Sequence, residues 1–331
     1  MTLPQMTPLL RAGQRVLAGF DGTTFDEDAR FLVEELWVSG LILFARNIVN
    51  KEQVKTLIAD AQASAQKQNL PPLIIAIDQE GGPVARLREP EFPEFLGNQG
   101  IETIEEATRY AHQMADLLLK LGIHMNFAPV LDVAVDNQSI MASRVFKGAD
   151  TVQLGAAVIS GFQEKGLMAV SKHFPGIGRT HLDSHFELPV MEETKSSIKQ
   201  TELPPFQKAI QGNVAGMMLS HILYPKLDSK YPASLSPAIA HDLLRDEMGY
   251  SGVVMSDDLD MKAVADHFPM AEIIEQTIRS DIDWVLVCHK GPARETAVRE
   301  FMLQEAMEAD ARRQGDRSLK RILALKQKYL L

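Results

Sequence analysis

Eight short apolar runs mark the chain, at residues 15–20, 40–44, 73–78, 125–130, 168–174, 214–221, 252–257 and 284–288. They are rich in aliphatic and β-branched residues and lack polar alternation, which fits strands buried on both faces. Between them, apolar residues recur at helical spacing over residues 25–37, 51–66, 104–121, 152–165, 238–248 and 271–279. Strict alternation of strand and helix predicts a parallel sheet, and eight repeats predict an α/β fold closed into a single (β/α)8 barrel of the TIM type. Residues 293–331 read as a last helix followed by a helical C-terminal extension rich in Lys and Arg. The long irregular stretches 87–100 and 176–205 follow strand candidates and read as loops, so residues 1–331 are expected to form one domain. A doubly wound open sheet is the structural competitor. It would want a G-x-G-x-x-G turn after the first strand, where residues 20–25 read FDGTTF.

The predicted strands end on polar groups: Asp21, Arg46 with Asn47, Asp78 through Glu80, Asp132, Lys172 with His173, Ser220 with His221, Asp257 with Asp258, and His289. The C-terminal ends of barrel strands are where catalytic groups sit. A rim of many donors and acceptors suits a polyhydroxylated ligand.

Composition narrows the class. The formal charge of −10 is spread along the chain without a basic cluster, which argues against nucleic acid as a ligand. The single cysteine, Cys288, excludes an intramolecular disulfide and a thiol zinc cluster, and fits a reducing compartment. No run reaches the ~18 apolar residues of a membrane span, and the N-terminus lacks a signal-peptide pattern. A cytoplasmic protein without membrane contact is expected, as a monomer or weak dimer.

Two segments carry the chemistry. An apolar run stops on Ser256-Asp257-Asp258. Adjacent strand residues face opposite ways, so Asp257 is expected to enter the barrel mouth and Asp258 to support the turn, the bland alternative being a helix cap for the pair. After the fifth strand, residues 172–185 read KHFPGIGRTHLDSH. Lys172 ends that strand and, with Asp78 and Arg144, makes a clamp for sugar hydroxyls. Asp183 lies two residues before His185 on a loop with Gly176 and Gly178 as expected hinges. A histidine titrating near ~6.5 can give and take a proton near neutrality, and a carboxylate would fix its tautomer. An Asx-type turn on a surface loop is the alternative for this segment. His181 and His185 are four apart, but their segment has no helical pattern and no second ligand cluster, so no metal is expected, and no cofactor. His221 and His289 read as rim residues, and the methionines as core filler.

In this order the motifs resemble glycoside hydrolase family 3, in particular its single-domain bacterial β-N-acetylglucosaminidases of the NagZ type. The segments are 40–47 (GLILFARN), 77–82 (IDQEGG), 126–133 (NFAPVLDV), 143–146 (SRVF), 172–176 (KHFPG), 183–185 (DSH), 256–261 (SDDLDM) and 284–288 (WVLVC). The resemblance implies Asp257 as nucleophile, His185 as general acid/base and Asp183 as its partner. It implies Asp78, Arg86, Arg144, Lys172 and His173 as binders of a terminal N-acetylglucosamine. The implied substrate is a cytoplasmic cell-wall fragment, N-acetylglucosaminyl-1,6-anhydro-N-acetylmuramic acid with or without peptide, in peptidoglycan recycling. The chain departs from the family pattern at Ile177, where a second histidine is usual, at Pro83, where an arginine is usual, and at Ser280-Asp281, where Ala-Gly is usual.

The expected reaction is hydrolysis with retention through a covalent glycosyl-aspartate on Asp257, with the loop that bears His185 opening and closing during turnover. The alternatives are phosphorolysis at the same Asp and His, attack by the substrate's own acetamido group, β-glucosidase activity, and a catalytically silent sugar-binding protein.

Overall fold

The computed structural model describes residues 3–147, 150–180 and 187–331. Eight parallel strands close into a barrel in chain order: β1 (Val16–Gly19), β2 (Gly40–Leu43), β3 (Ile74–Ile77), β4 (Met125–Asn126), β5 (Met168–Phe174), β6 (Gly216–Leu219), β7 (Val253–Asp258) and β8 (Trp284–Val287). β8 pairs back onto β1, so no strand is left with an open edge.

Each expected run yields a strand, and β5 matches residue for residue. β4 is the exception in length, two residues where six were expected. Pro129 lacks the N–H that a ladder needs, and beyond Asn126 the chain pairs irregularly with β5, Leu131 N–H donating to Lys172 O at 2.7 Å. The helical stretches also form as expected, with Ile104–Leu121 the clearest case. Thr103 and Glu106 build a capping box at its start, and Gly122, at φ +86°, ends it. Ala107, Tyr110, Ala111, Met114, Ala115 and Leu118 recur at intervals of three and four and form its buried face.

Side-chain alternation along the strands places the site. Val253 and Met255 of β7 lie in the apolar cluster inside the barrel, as do Ile74 and Ala76 of β3 and Met168 and Val170 of β5. Two residues further along each chain come Asp257, Asp78 and Lys172. Alternation turns Asp78 and Lys172 inward at the C-terminal end of the barrel, and Asp257, which lies at a register shift between β7 and β8, acts with Asp78 on buried Cys288 at the same end.

The opposite end is sealed by the C-terminal extension, which forms two helices, Ala293–Met307 and Ala309–Leu330. Ile322 and Leu325 of the last helix join the barrel interior. Beside them, Lys326 is buried and its ammonium donates to Gln14 Oε1 and Ser39 O, both at 2.8 Å. Trp284 closes the same end, its indole N–H donating to Gln14 O and Ser39 Oγ. Among the described residues, no helix is long and apolar enough to cross a membrane.

Candidate active site

Five charged side chains from three segments of the chain meet at the C-terminal end of the barrel. Lys172 Nζ lies 2.7 Å from Asp78 Oδ1 and 2.7 Å from Glu80 Oε1. Arg144 grips Glu80 with two parallel bonds, NH2 to Oε1 at 2.7 Å and Nε to Oε2 at 3.1 Å. Arg86 reaches Asp78 Oδ2 at 3.5 Å. Burial raises the Asp78 carboxyl, but Lys172, Arg86 and Arg144 outweigh it and bring it down to about 2. The same contest lowers Glu80, where Lys172 and Arg144 prevail over burial. Lys172 is lost from water yet held above its ordinary value by Asp78 and Glu80. The cluster therefore stays fully charged around neutrality, with its members locked by one another.

Backbone turns hold these groups in place. Gln79 Oε1 accepts the N–H groups of Arg86 and Leu87 at 2.7 and 3.0 Å, which folds the segment back so that Arg86 returns to Asp78. Gly81 has φ +87°, and a Cβ there would stand 2.7 Å from Phe95 O, so this turn requires glycine.

Asp257 is half-buried, and its Oδ1 accepts from Asp258 N at 2.8 Å. Asp258 faces the other way, as expected. Its Oδ1 accepts from Cys288 N and Asp260 N, both at 3.1 Å, and its Oδ2 lies 3.5 Å from His289 Nδ1. The Asp258 contact is the main cause that raises His289. His221 is buried and ties β6 to this turn, with Nδ1 2.6 Å from Ser234 Oγ and Nε2 2.9 Å from Asp258 O. Cys288 is buried in the barrel-interior cluster, its thiol pushed well up by burial and by the nearby carboxylates.

β5 leads from Lys172 and His173 into a packed loop root. Asp132 is fully buried and accepts from His173 Nδ1 at 2.7 Å and from Ile177 N at 2.8 Å. Tyr224 O–H donates to Gly176 O at 2.9 Å, and Arg179 pairs with Glu202. Gly178 packs so tightly that a Cβ would stand 2.0 Å from Val133 O. At Gly178 this close approach to main chain is by itself a reason for glycine, beside the expected hinge role. His181, Asp183 and His185 lie outside the described residues.

The family model of the glycosyl hydrolase family 3 N terminal domain matches residues 9–325. The chain belongs to this family. It is 36% identical over 287 residues to a β-hexosaminidase A of Pseudoalteromonas piscicida, covering 80% of this chain and 48% of that relative. A β-hexosaminidase of Nitrosospira multiformis is 34% identical over 297 residues, covering 86% of this chain and 83% of the relative. The family 3 β-N-acetylglucosaminidase of Paenibacillus sp. str. FPU-7 superposes with a TM-score of 0.94 at 37% identity, covering 98% of this chain and 63% of that one. The chain thus spans about half of the Pseudoalteromonas protein and under two thirds of the Paenibacillus one.

The departures from the usual family 3 pattern have structural accounts. Ile177 is buried in the core around the loop root, and its contact with Asp132 runs through its backbone N–H, which any residue but proline supplies. Pro83 is exposed on the outside of the Gly81–Gly82 turn. Asp281 lies at the end of the barrel opposite the site, with φ +53° and its carboxylate on Arg245 and Arg321 at 3.0 and 2.7 Å. Sequence reasoning counted Glu80 and Asp132 among the rim residues without giving either a task. The signal was each carboxylate's place just past an apolar run.

Proposed function

We propose that this protein is a retaining exo-β-N-acetylglucosaminidase that removes terminal N-acetylglucosamine through a covalent intermediate on Asp257. The observation that carries the reading is Asp257 at the same barrel end as the Asp78–Lys172–Glu80–Arg144 cluster. Locked cations and carboxylates can donate to and accept from sugar hydroxyls without reorganising, the arrangement that stabilises charge developing on a bound ring. Asp257 attacks the anomeric carbon while His185 protonates the leaving oxygen. His185 then deprotonates the incoming water, and Asp183 orients its ring and stabilises the imidazolium. The roles of His185 and Asp183 rest on the DSH segment at 183–185. The substrate we propose is N-acetylglucosaminyl-1,6-anhydro-N-acetylmuramic acid, with or without peptide, in cell-wall recycling. The named β-hexosaminidases and the β-N-acetylglucosaminidase among the relatives support the sugar.

Release of 4-nitrophenol from its β-N-acetylglucosaminide and its β-glucoside tests the reading. Turnover of the acetylated substrate alone, abolished in Asp257→Ala, with a 2-fluoro sugar trapped on Asp257, is expected. Binding of N-acetylglucosamine without turnover of either substrate would replace the enzyme by a sugar-binding protein.

A further inference from the structure

We propose that Asp132 is a positioning residue that presents His173 to the bound sugar as a hydrogen-bond acceptor and couples that presentation to the root of the loop bearing His185. The proposal rests on the reading of the pocket as an N-acetylglucosaminide site.

Asp132 is fully buried, and a buried carboxylate is tolerated where donors surround it. Here the donors are the backbone N–H of Ile177 on Oδ1 at 2.8 Å, the backbone N–H of His173 at 3.3 and 3.4 Å from the two oxygens, and His173 Nδ1 on Oδ2 at 2.7 Å. A carboxylate accepts and does not donate, so the hydrogen of that short contact belongs to Nδ1. In the neutral ring Nε2 then carries a lone pair. Nε2 has no partner among the described residues, and 8% of the side chain stays accessible. The pocket's other neighbours are strong charges: Lys172, Arg86 and Arg144 donate, and Asp78 and Glu80 are engaged by them. An Nε2 lone pair in that company complements a hydroxyl donor at lower desolvation cost than a further carboxylate. The same Asp132 carboxylate holds Ile177, two residues after Pro175, so ring orientation and loop departure share one anchor.

In Asp132→Asn the side chain keeps its shape, but one oxygen becomes an NH2 group. If the NH2 faces His173, Nδ1 must accept, the hydrogen moves to Nε2, and the ring meets the sugar as a donor. If it faces Ile177, two N–H groups oppose each other.

Long-range 1H–15N spectra of imidazole-labelled protein test this, the His173 signals being those lost in His173→Gln. The wild type is expected to show the Nδ1–H tautomer. Asp132→Asn is expected to shift it toward Nε2–H and to raise KM for 4-nitrophenyl β-N-acetylglucosaminide about tenfold, with a smaller change in kcat. A wild-type ring that carries hydrogen on Nε2, alone or on both nitrogens, overturns the proposal, and that arm needs no variant to fold. A folded Asp132→Asn that keeps the KM of the wild type overturns it as well. If the wild type neither binds nor turns over the acetylglucosaminide, the functional reading fails, while the spectra still decide the role of Asp132 toward His173.

Discussion

Glu80 meets Lys172 through one oxygen and Arg144 through both, so a single carboxylate sets two cations, one at the end of β5 and one in the loop after β4. Hydrogen bonds to charged groups contribute roughly 1.5–3 kcal/mol each, against about 1.4 kcal/mol for a tenfold change in affinity. Glu80→Gln keeps the shape and removes the charge. It is expected to raise KM for the aryl N-acetylglucosaminide by about ten- to a hundredfold, and an unchanged KM would show that the cluster does not bind the sugar. Arg144→Lys is expected to behave similarly, because an ammonium cannot reproduce the paired guanidinium contact. The charged residues themselves were legible in the chain, including Asp78, Arg86, Arg144 and Lys172. That Glu80 links them was not, since nothing local distinguishes it from a solvated acid.

The loop root shows how an element limits a site. Residues from Pro175 to Thr180 are almost wholly buried, and Gly178 lies against the backbone of Val133. A methyl group there cannot be accommodated by a side-chain rotation, because its neighbour is main chain. Gly178→Ala is therefore expected to displace the loop and lower kcat/KM at least tenfold while far-UV circular dichroism keeps the barrel signature. Wild-type kinetics in that variant would mean that the root is not what aims the loop. At the other end, Asp281 is held at φ +53° before β8 and meets Arg245 and Arg321. Asn tolerates that backbone but removes the charge, and breaking a buried pair costs about 3–5 kcal/mol. Asp281→Asn is expected to lower the denaturant midpoint and leave kcat unchanged. Strand and helix positions were visible as periodicity, whereas the early end of β4 at Asn126 was missed, although Pro129 offered the signal. The burial of the glycine segment was not visible, because glycine reads equally as a hinge or as a place of close approach.

The C-terminal helix closes one end of the barrel. Lys326 brings an ammonium into the closed floor, and burial pushes it down to about 7. An unfolded lysine titrates near ~10.4. Between these values the unfolded chain binds more protons than the folded one, so this group's contribution to stability rises with pH across that window and is constant below it. Lys326→Met removes the term. The stability difference between wild type and Lys326→Met, from urea unfolding at pH 7 and pH 10, is expected to move in favour of the wild type at the higher pH. A difference independent of pH would place the ammonium in contact with water.

Alternating apolar runs and helical spacing are short-range patterns, set by side-chain transfer from water and by backbone geometry, so the chain alone specified eight strands, their helices and the polar strand ends. The parity that turns Asp78 and Lys172 inward was likewise local. Barrel closure decided the rest. It brought Asp78, Glu80, Arg144 and Lys172 together from three segments and gave Asp132 both a histidine and a loop root to hold. It also set Lys326 in the floor. Such contacts depend on distances between residues far apart in the chain, and no short-range pattern records them.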